Sequence, residues 1–231
     1  MAMNARAEQY RYWRYQAFRW RYELSLVKKI ALALGIAALT GLLAQARFYL
    51  PWSPVPITGQ TFAVLLAGVL LGKWWGGASQ ALYTGLGIAG VPWFAGWHGG
   101  IVYFTGPTMG YMIGFILAAL FLGYFTDSFV NSRRFFPMLG LMLFANFVFI
   151  YGLGLLWLNT FSYEVGLAGK TALGFGPYEG RGLLALLMAG MIPFIIGDII
   201  KAVAAAALTK GIAPKEAYNG ESDVGRRWRV P

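Results

Sequence analysis

Long apolar stretches, separated by short polar or glycine-rich connections, dominate the chain. From Phe48 to Thr126 the one formal charge belongs to Lys73, and further apolar stretches precede and follow this region. A membrane-spanning helix needs about 20 predominantly apolar residues, so the pattern predicts several spans and leaves little room for a soluble domain. We expect an all-α integral membrane protein with about six transmembrane helices in a compact bundle.

Charges, prolines and glycines mark the ends of the predicted spans. The last span begins near Pro193, because proline is favoured in the first helical turn. Residues 182–191 are apolar but few, and they either extend this span across a kink at Pro193 or form a separate turn. Segments 1–29 and 211–231 flank a membrane domain of residues 30–210. The six predicted spans cover roughly residues 30–46, 61–72, 75–91, 107–125, 136–158 and 193–208.

Composition agrees with this pattern, and the distribution of charge also predicts how the chain is oriented in the membrane. Hydrophobic residues make up 58% of the chain and charged residues 12%, and the net charge is +10. In the predicted topology the basic residues gather on one side of the membrane, and the exceptions are Arg47, Lys170, Arg181 and Lys201. By the positive-inside rule both termini are cytoplasmic, which fits a multi-pass protein of the cell membrane. We attribute the excess positive charge to topology and to anionic lipid rather than to nucleic acid.

The N-terminal segment interleaves arginine with tyrosine and tryptophan, as in EQYRYWRYQAFRWRY at residues 8–22. As a helix it would lie at the level of the lipid headgroups, with its rings in the interface and its guanidinium groups at phosphates. Stacking on RNA bases is the alternative, but the adjoining membrane domain favours lipid. The segment lacks the short charged region and apolar region of a signal peptide, so we do not expect its removal.

Signatures of catalysis, metal binding and nucleotide binding do not fit the chain. It has no cysteine and a single histidine, His98, which we interpret as a hydrogen-bonding loop residue rather than a metal ligand. The run GLAGKT at residues 166–171 ends like a phosphate-binding loop, but Glu164 stands where that motif requires glycine. We therefore expect no metal, no cofactor and no enzymatic activity of the chain by itself.

Two connections on the predicted outer side have the composition of a ligand site. The proline-rich LPWSPVPITGQTF at residues 50–62 is stiff and extended, and it could lie across the top of the bundle. Residues 83–111 combine glycine with aromatic rings, which suits a small, flat, partly apolar ligand. An interfacial aromatic belt would have a similar composition.

Asp198 and Lys201 interrupt the apolar run IPFIIGDIIK at residues 192–201. Residues three apart lie on one helical face, and each charge would cost about 3 kcal/mol at mid-helix if it faced lipid. The pair is therefore either part of a binding site or a buried ion pair that fixes helix packing.

Four ordered motifs resemble the BioY family, the biotin-binding S-components of energy-coupling-factor (ECF) transporters. They are PVPITGQTFAVLLAG at residues 54–68, YTGLGIAGVPWFAG at 83–96, GPTMGYMIGF at 106–115 and PFIIGDIIKA at 193–202. The resemblance covers roughly residues 27–210 and leaves out both tails. It implies a six-helix protein that captures biotin on the outer side. It also implies partners: a transmembrane coupling protein and two cytoplasmic ATPases.

The resemblance identifies Asp198 and Lys201 as the ligand-contacting pair. We predict that Asp198 accepts a hydrogen bond from a ureido N–H of biotin and that Lys201 donates to the ligand. Asn146, in the fifth span, either faces the site or bonds another helix. The valerate carboxylate of biotin could bind Arg47, Arg181 or the backbone amides of the fourth predicted helix near Thr108. Further predicted substrate-binding residues are Tyr83, Trp93, Phe94 and Tyr111, which would pack on the bicyclic ring, and Thr58 and Gln60 from the first loop.

A stripe of small residues on the first span, Ala33, Ala37 and Gly41, predicts close approach of another backbone. In the family such a stripe contacts the coupling protein, whereas packing within the chain is the alternative. Other functions consistent with the sequence are an S-component for another small heterocyclic vitamin and a solitary biotin facilitator. An intramembrane enzyme that uses Asp198 and Lys201 for acid–base chemistry is the rival outside transport.

Overall fold

Helices account for nearly all regular structure in the computed structural model, which describes residues 2–164 and 182–215. The remaining positions, among them Lys170, Arg181 and the GLAGKT run, lie outside the described residues. The helices are α1 Ala2–Glu23, α2 Leu26–Gln45, α3 Gln60–Ile88, α4 Met109–Ser128, α5 Phe135–Phe144, a π-helix Ala145–Tyr151, α6 Gly152–Glu164, α7 Leu183–Gly190 and α8 Ile195–Ile212. Shorter elements are strands β1 Arg47–Phe48 and β2 Ile57–Thr58 and 3₁₀ turns at Ile101–Tyr103, Asn131–Arg133 and Ile192–Phe194.

The helix α3 is a hairpin whose two arms form the predicted second and third spans. The chain reverses at Gly72, which has a φ of 79° that favours glycine. The side chains of Gln60 and Tyr83 therefore meet in a hydrogen bond of 2.6 Å although they are 23 positions apart. The arms cover residues 60–71 and 73–88, so helices lie at all six predicted positions, with a single glycine in place of the expected loop.

The fifth and sixth spans are interrupted helices. The fifth runs from α5 through the π-helix into α6. The sixth is preceded by α7, which ends before Met191, whose φ of −144° and ψ of −57° are not helical. A 3₁₀ turn that contains Pro193 follows, so α8 begins at Ile195 rather than at Pro193. The structure thus answers the question about residues 182–191: they hold a separate short helix.

Glycines let the arms of α3 and the helix α4 touch backbone to backbone. A Cβ atom added at Gly76 would lie 2.7 Å from the Cα of Gly68, and one at Gly123 would lie 2.5 Å from the Cα of Lys73. A Cβ at Gly68 would meet the carbonyl oxygen of Ala119 and, at 2.6 Å, the nitrogen of Gly123. Any side chain at these positions would separate the helices.

The helix α1 packs on the end of the bundle for which the basic residues predict a cytoplasmic location. Tyr15 and Phe18 are buried, and so is Arg21, which forms an ion pair with Asp127. The same arginine donates to the carbonyl of Val69 at 2.8 Å. The N-terminal segment is therefore helical, as predicted, but one of its faces binds protein, so it does not lie wholly among lipids.

The small-residue stripe of α2 faces the inside of the chain. Ala33 and Ala37 have no exposed surface, and Gly41 is buried against the side chain of Trp93. In this arrangement the stripe is covered by other parts of this chain. This burial supports the alternative of internal packing, and a role for Ala33, Ala37 and Gly41 in coupling-protein docking stays a prediction.

Candidate functional site

A cavity of about 260 Å³ lies at the opposite end of the bundle from α1, among the beginnings of α3, α4 and α8. The first loop, the loop before α4 and the π-helix complete its wall. Its volume is near the lower end of small-molecule pockets, which run from about 300 Å³ upwards. The lining residues are Tyr49, Pro54, Val55, Pro56, Thr58, Gln60, Thr61, Tyr83, Phe94, Ala95, His98, Tyr103, Thr108, Tyr111, Met112, Phe115, Ile150, Tyr151, Phe194, Asp198 and Lys201.

The carboxylate of Asp198 is the centre of the polar part of this cavity. The residue is 4% exposed, and four donors from three elements converge on its carboxylate. Thr61 donates to Oδ1 at 3.0 Å and Asn146 donates to Oδ2 at 3.1 Å. The Tyr151 hydroxyl also donates to Oδ2, and Lys201 forms an ion pair with Oδ1. A carboxylate offers about four acceptor positions, so these donors satisfy the buried charge.

The π-helix places two of these donors on one face. Asn146 and Tyr151 are five residues apart, which in an α-helix would separate them by about 140° around the axis. In a π-helix the backbone bonds run from i to i+5, so residues five apart come to lie nearly above one another. Both side chains therefore reach the same oxygen of Asp198. Sequence reasoning missed Tyr151 because α-helical spacing would direct it elsewhere.

Lys201 joins Asp198 to the first loop. Its ammonium group donates to the carbonyl oxygen of Thr58 at 2.8 Å, in addition to the ion pair. An ammonium group has three N–H donors, and these two contacts leave one for a ligand in the cavity. The side chain of Lys201 is 18% exposed against 5% for that of Asp198, so the lysine is the more accessible partner.

An aromatic wall faces the polar part of the cavity. Tyr83 is fully buried, and its ring meets that of Phe94 edge to face at 5.4 Å. Trp93 does not line the cavity: its ring packs on Tyr83 at 5.6 Å, and its Nε1 donates to the Tyr83 carbonyl at 2.9 Å. Tyr111 stands on α4 and donates from its hydroxyl to Gly190 at 2.8 Å.

The first loop covers the cavity as an extended strip. Strands β1 and β2 pair at its base, and Pro54, Val55 and Pro56 contribute to the cavity wall. The hydroxyl of Ser53 donates to the carbonyl of Ala189 at 2.5 Å, which fixes the loop to α7. The predicted placement of this proline-rich segment across the bundle is therefore confirmed.

A second polar group of residues lies at the mouth of the cavity, where the loops meet. The ring of His98 stacks on Tyr103 at 5.7 Å, and Tyr49 lies nearby with Arg47 over its ring at 5.6 Å. Burial, followed by the neighbouring Tyr49, raises the pKa of Tyr103, while Arg47 lowers it. The hydroxyl of Tyr103 thus stays protonated at neutral pH. Thr108 also lines the cavity, but the nearby amides of Met109 and Tyr111 already donate to backbone carbonyls.

The structure brings most of the predicted site residues together. Asn146 and Trp93 do not line the cavity, but each bonds a residue that does. For Asn146 the prediction was that it either faces the site or bonds another helix. Its hydrogen bond to Asp198 on α8 fits both alternatives in part. Residues that the sequence did not suggest include Thr61, Tyr151, Tyr49 and Tyr103. The predicted residues that line the cavity are Asp198, Lys201, Tyr83, Phe94, Tyr111, Thr58 and Gln60. Within the described ranges, no group of three or more acidic or histidine side chains is placed to hold a metal ion.

Comparisons with known proteins point to one family. A family model described as the BioY family matches residues 13–217. A probable biotin transporter BioY from Methanothermobacter thermautotrophicus is 49% identical over 168 residues, which are 72% of this chain and 100% of that protein. The biotin transporter BioY from Thermotoga maritima is 36% identical over 143 residues, 62% of this chain and 81% of that protein.

A solved structure shares the fold. It is described as the S-component for biotin from an ECF-type ABC transporter. The match has a TM-score of 0.66 and 25% sequence identity, and it covers 81% of this chain and 93% of the other. Five helices or helix runs of the described chain are also long and apolar enough to cross a membrane.

Proposed function

Because the chain belongs to the BioY family, we propose that it is the membrane protein that captures biotin from the outer side for uptake into the cell. The observation that carries this proposal is the Asp198–Lys201 pair in a partly aromatic cavity at the predicted outer end of the bundle. No covalent step is required of the chain, since capture and release of the vitamin are its whole task.

Biotin has a ureido ring with N–H donors, for which Asp198 is an acceptor, and a carbonyl acceptor, for which Lys201 is a donor. All four acceptor positions of Asp198 are occupied in the structure. A ureido N–H must therefore replace one donor, and the accessible Lys201 is the one that can move at least cost. We infer that Lys201 turns to the ureido carbonyl and keeps its bond to Thr58, while Asp198 accepts from the ureido N–H.

The aromatic wall accounts for the rest of the bicyclic ligand. Tyr83 and Phe94 offer flat apolar surface in the cavity, and Tyr111 is a further aromatic residue of its lining. Trp93 holds Tyr83 in place from behind. Thr58 and Gln60 join this wall to the first loop, because Thr58 donates to Gln60 at 2.9 Å and Gln60 donates to Tyr83.

A calorimetric titration of the purified, monodisperse protein with biotin tests the proposed function. We expect tight one-to-one binding of biotin, with thiamine and riboflavin as controls that give no heat. Binding of another heterocyclic vitamin in place of biotin would reassign the substrate. Conversion of any of these ligands to a product would favour an enzyme instead.

The carboxylate of biotin is the second anchor that the site must hold. Its tail runs from the ring toward the mouth, where Tyr49, His98 and Tyr103 lie and where Arg47 provides a positive charge. Arg47→Gln should weaken biotin binding about tenfold, the usual worth of one charge-assisted hydrogen bond. Biotin amide, which has no carboxylate, is the control ligand. Its affinity should be the same for the unchanged protein and for Arg47→Gln. Equal loss for both ligands would show that Arg47 acts on loop structure.

Energised uptake would require partners. The solved relative is an S-component of an ECF-type ABC transporter, so we propose that a transmembrane coupling protein and two cytoplasmic ATPases drive transport by this chain. Uptake of labelled biotin by cells that express the chain with and without such a module is the test. Equal uptake in both strains would favour the solitary facilitator.

A further inference from the structure

Gln45, the last residue of α2, binds a loop that is distant from it in the sequence. Its side-chain oxygen accepts from the backbone N–H groups of Gly96 at 3.1 Å and Trp97 at 3.0 Å. Its side-chain nitrogen donates to the carbonyl oxygens of Trp93 at 3.3 Å and Phe94 at 3.1 Å. One side chain thus binds four backbone groups of a single loop.

This loop, residues 93–98, forms part of the cavity wall. Phe94, Ala95 and His98 all line the cavity. The N–H of Phe94 donates to the carbonyl of His98 at 2.9 Å, and the N–H of His98 donates to the carbonyl of Phe94 at 3.4 Å. These bonds hold the two ends of the turn together. Whatever orients the turn therefore orients two side chains that face a ligand.

The tip of the 93–98 loop has an uncommon backbone conformation. Gly96 has a φ of 94° and Trp97 has a φ of 60°, which is rare for a residue with a bulky side chain. Successive N–H groups in a turn can point into one concavity, and the side-chain oxygen of Gln45 fills it here. The hydrogen bonds to Gln45 thus stabilise a conformation that the loop by itself disfavours.

Gly96 lies between Arg47 and His98 at the mouth of the cavity. A Cβ atom added at Gly96 would lie 2.5 Å from a guanidinium nitrogen of Arg47 and 2.9 Å from Nε2 of His98. Both side chains therefore lie against the backbone of Gly96, and its position sets the space between them. Gln45 fixes that position through the N–H of Gly96.

The end of α2 also binds the first loop. The N–H of Gly59 donates to the carbonyl oxygens of Leu43 and Ala46, both at 3.1 Å. Gly59 follows Thr58, which lines the cavity. The last turn of α2 thus anchors both loops of the cavity wall. It holds the first loop through backbone carbonyls and the 93–98 loop through the side chain of Gln45.

We propose that Gln45 is a positioning residue, which holds the 93–98 loop in the conformation in which Phe94 and His98 meet the ligand. Gln45 itself is not part of the cavity lining. The role needs a donor and an acceptor at the end of one side chain, and an amide supplies both. Without these bonds the loop would have to become ordered when the ligand binds, and the affinity would fall. The inference rests on the proposed capture of biotin.

Other contacts tie the two ends of the loop to the bundle. Trp93 packs closely on α2, since a Cβ added at Gly41 would lie 2.7 Å from the Cβ of Trp93. After the loop, the N–H of Gly100 donates to the carbonyl of Gly87 at 2.7 Å. A variant of Gln45 should therefore fold, and its effect should be confined to the loop.

Gln45→Met tests the inference, because methionine has a similar length but lacks the amide. We expect biotin to bind about 10- to 100-fold more weakly in a calorimetric titration, which reflects the cost of ordering the loop on binding. Gln80→Met is the matched control. Gln80 on α3 is fully buried and bonds Thr40 on α2 and its neighbour Ser79, and none of the three lines the cavity. This control should lower the melting temperature and leave the affinity for biotin unchanged.

Hydrogen exchange of residues 94–98 gives a readout that a general structural role would not change. In ligand-free Gln45→Met the amides of Gly96 and Trp97 lose their acceptor, so they should exchange about tenfold faster than in the unchanged protein. Saturating biotin should reduce this difference, because the bound ligand orders the loop. Gln45→Asn keeps the amide but is one carbon too short to reach the loop. It should behave like Gln45→Met.

Two outcomes would overturn the inference. One is a Gln45→Met protein with the biotin affinity and loop exchange of the unchanged protein. The other is an equal loss of affinity in Gln45→Met and Gln80→Met, which would show a general loss of structure. Failure of the unchanged protein to bind biotin would instead contradict the proposed function. The exchange of the ligand-free proteins would then still decide whether Gln45 holds the loop.

Discussion

Replacing Asp198 with asparagine should weaken biotin binding by about 30-fold or more, because truncation of one partner of a buried charge pair costs about 2–5 kcal/mol or more. Asparagine loses the negative charge and turns one acceptor into a donor. That donor would face the donors on Thr61, Asn146, Tyr151 and Lys201, which now share one oxygen. The ureido N–H would then lack its acceptor. Calorimetric titration of monodisperse protein measures the change.

Two further variants separate ligand binding from structural support. Asp127→Asn makes the same chemical change in the ion pair with Arg21 at the other end of the bundle. It should lower thermal stability and keep the affinity for biotin within about threefold, since charge effects decline over such a separation. Asp198→Asn combined with Lys201→Met removes both charges, so no unpaired charge stays buried. A double variant that binds biotin normally would show that the pair only fixes helix packing.

Gly68→Ala should lower the melting temperature of the detergent-solubilised protein by about 10 °C or more, on the scale of a few degrees per kcal/mol. The added methyl group would meet the backbone of α4 on both sides, at the carbonyl of Ala119 and at the nitrogen of Gly123. Backbone atoms cannot rotate away as the end of a side chain can. The two helices would have to separate, with loss of the packing around them.

Gly85 provides the matched control on the same helix, because no atom lies within 4 Å of a Cβ built there. Gly85→Ala should leave the melting temperature unchanged or raise it slightly, since alanine restricts the unfolded chain and favours helix. Thermal unfolding of both variants in the same detergent gives the comparison. Equal behaviour of Gly68→Ala and Gly85→Ala would contradict the close contact between α3 and α4.

Hydrophobic patterning was sufficient to predict the spans and the main ion pair. Apolar length alone marks helices that cross a bilayer, and the high cost of a buried charge singles out Asp198 and Lys201. Thr58 and Gln60 were also found, because the stiff proline-rich segment before them restricts where they can lie. For the spans, the ion pair and these two loop residues, the property that decides their position can be read from neighbouring residues in the sequence.

Other features depend on contacts between distant parts of the chain. Tyr151 joins the site only through a π-helix, and a rule based on α-helical spacing directs it away from Asn146. The inner face of α1 could not be recognised, because the partner of Arg21 is Asp127, 106 positions away. The stripe of Ala33, Ala37 and Gly41 would suit an inner or an outer contact equally well, and only the folded chain shows that its residues are buried.

The reversal at Gly72 has a consequence for how the protein is made. The arms of α3, residues 60–71 and 73–88, are each shorter than the roughly 20 residues that an independent span requires. Neither arm alone would be held firmly in the bilayer while the ribosome is still adding the rest of the chain. We expect both arms to leave the translocation machinery together, as one preformed unit, before α4 arrives to pack against them.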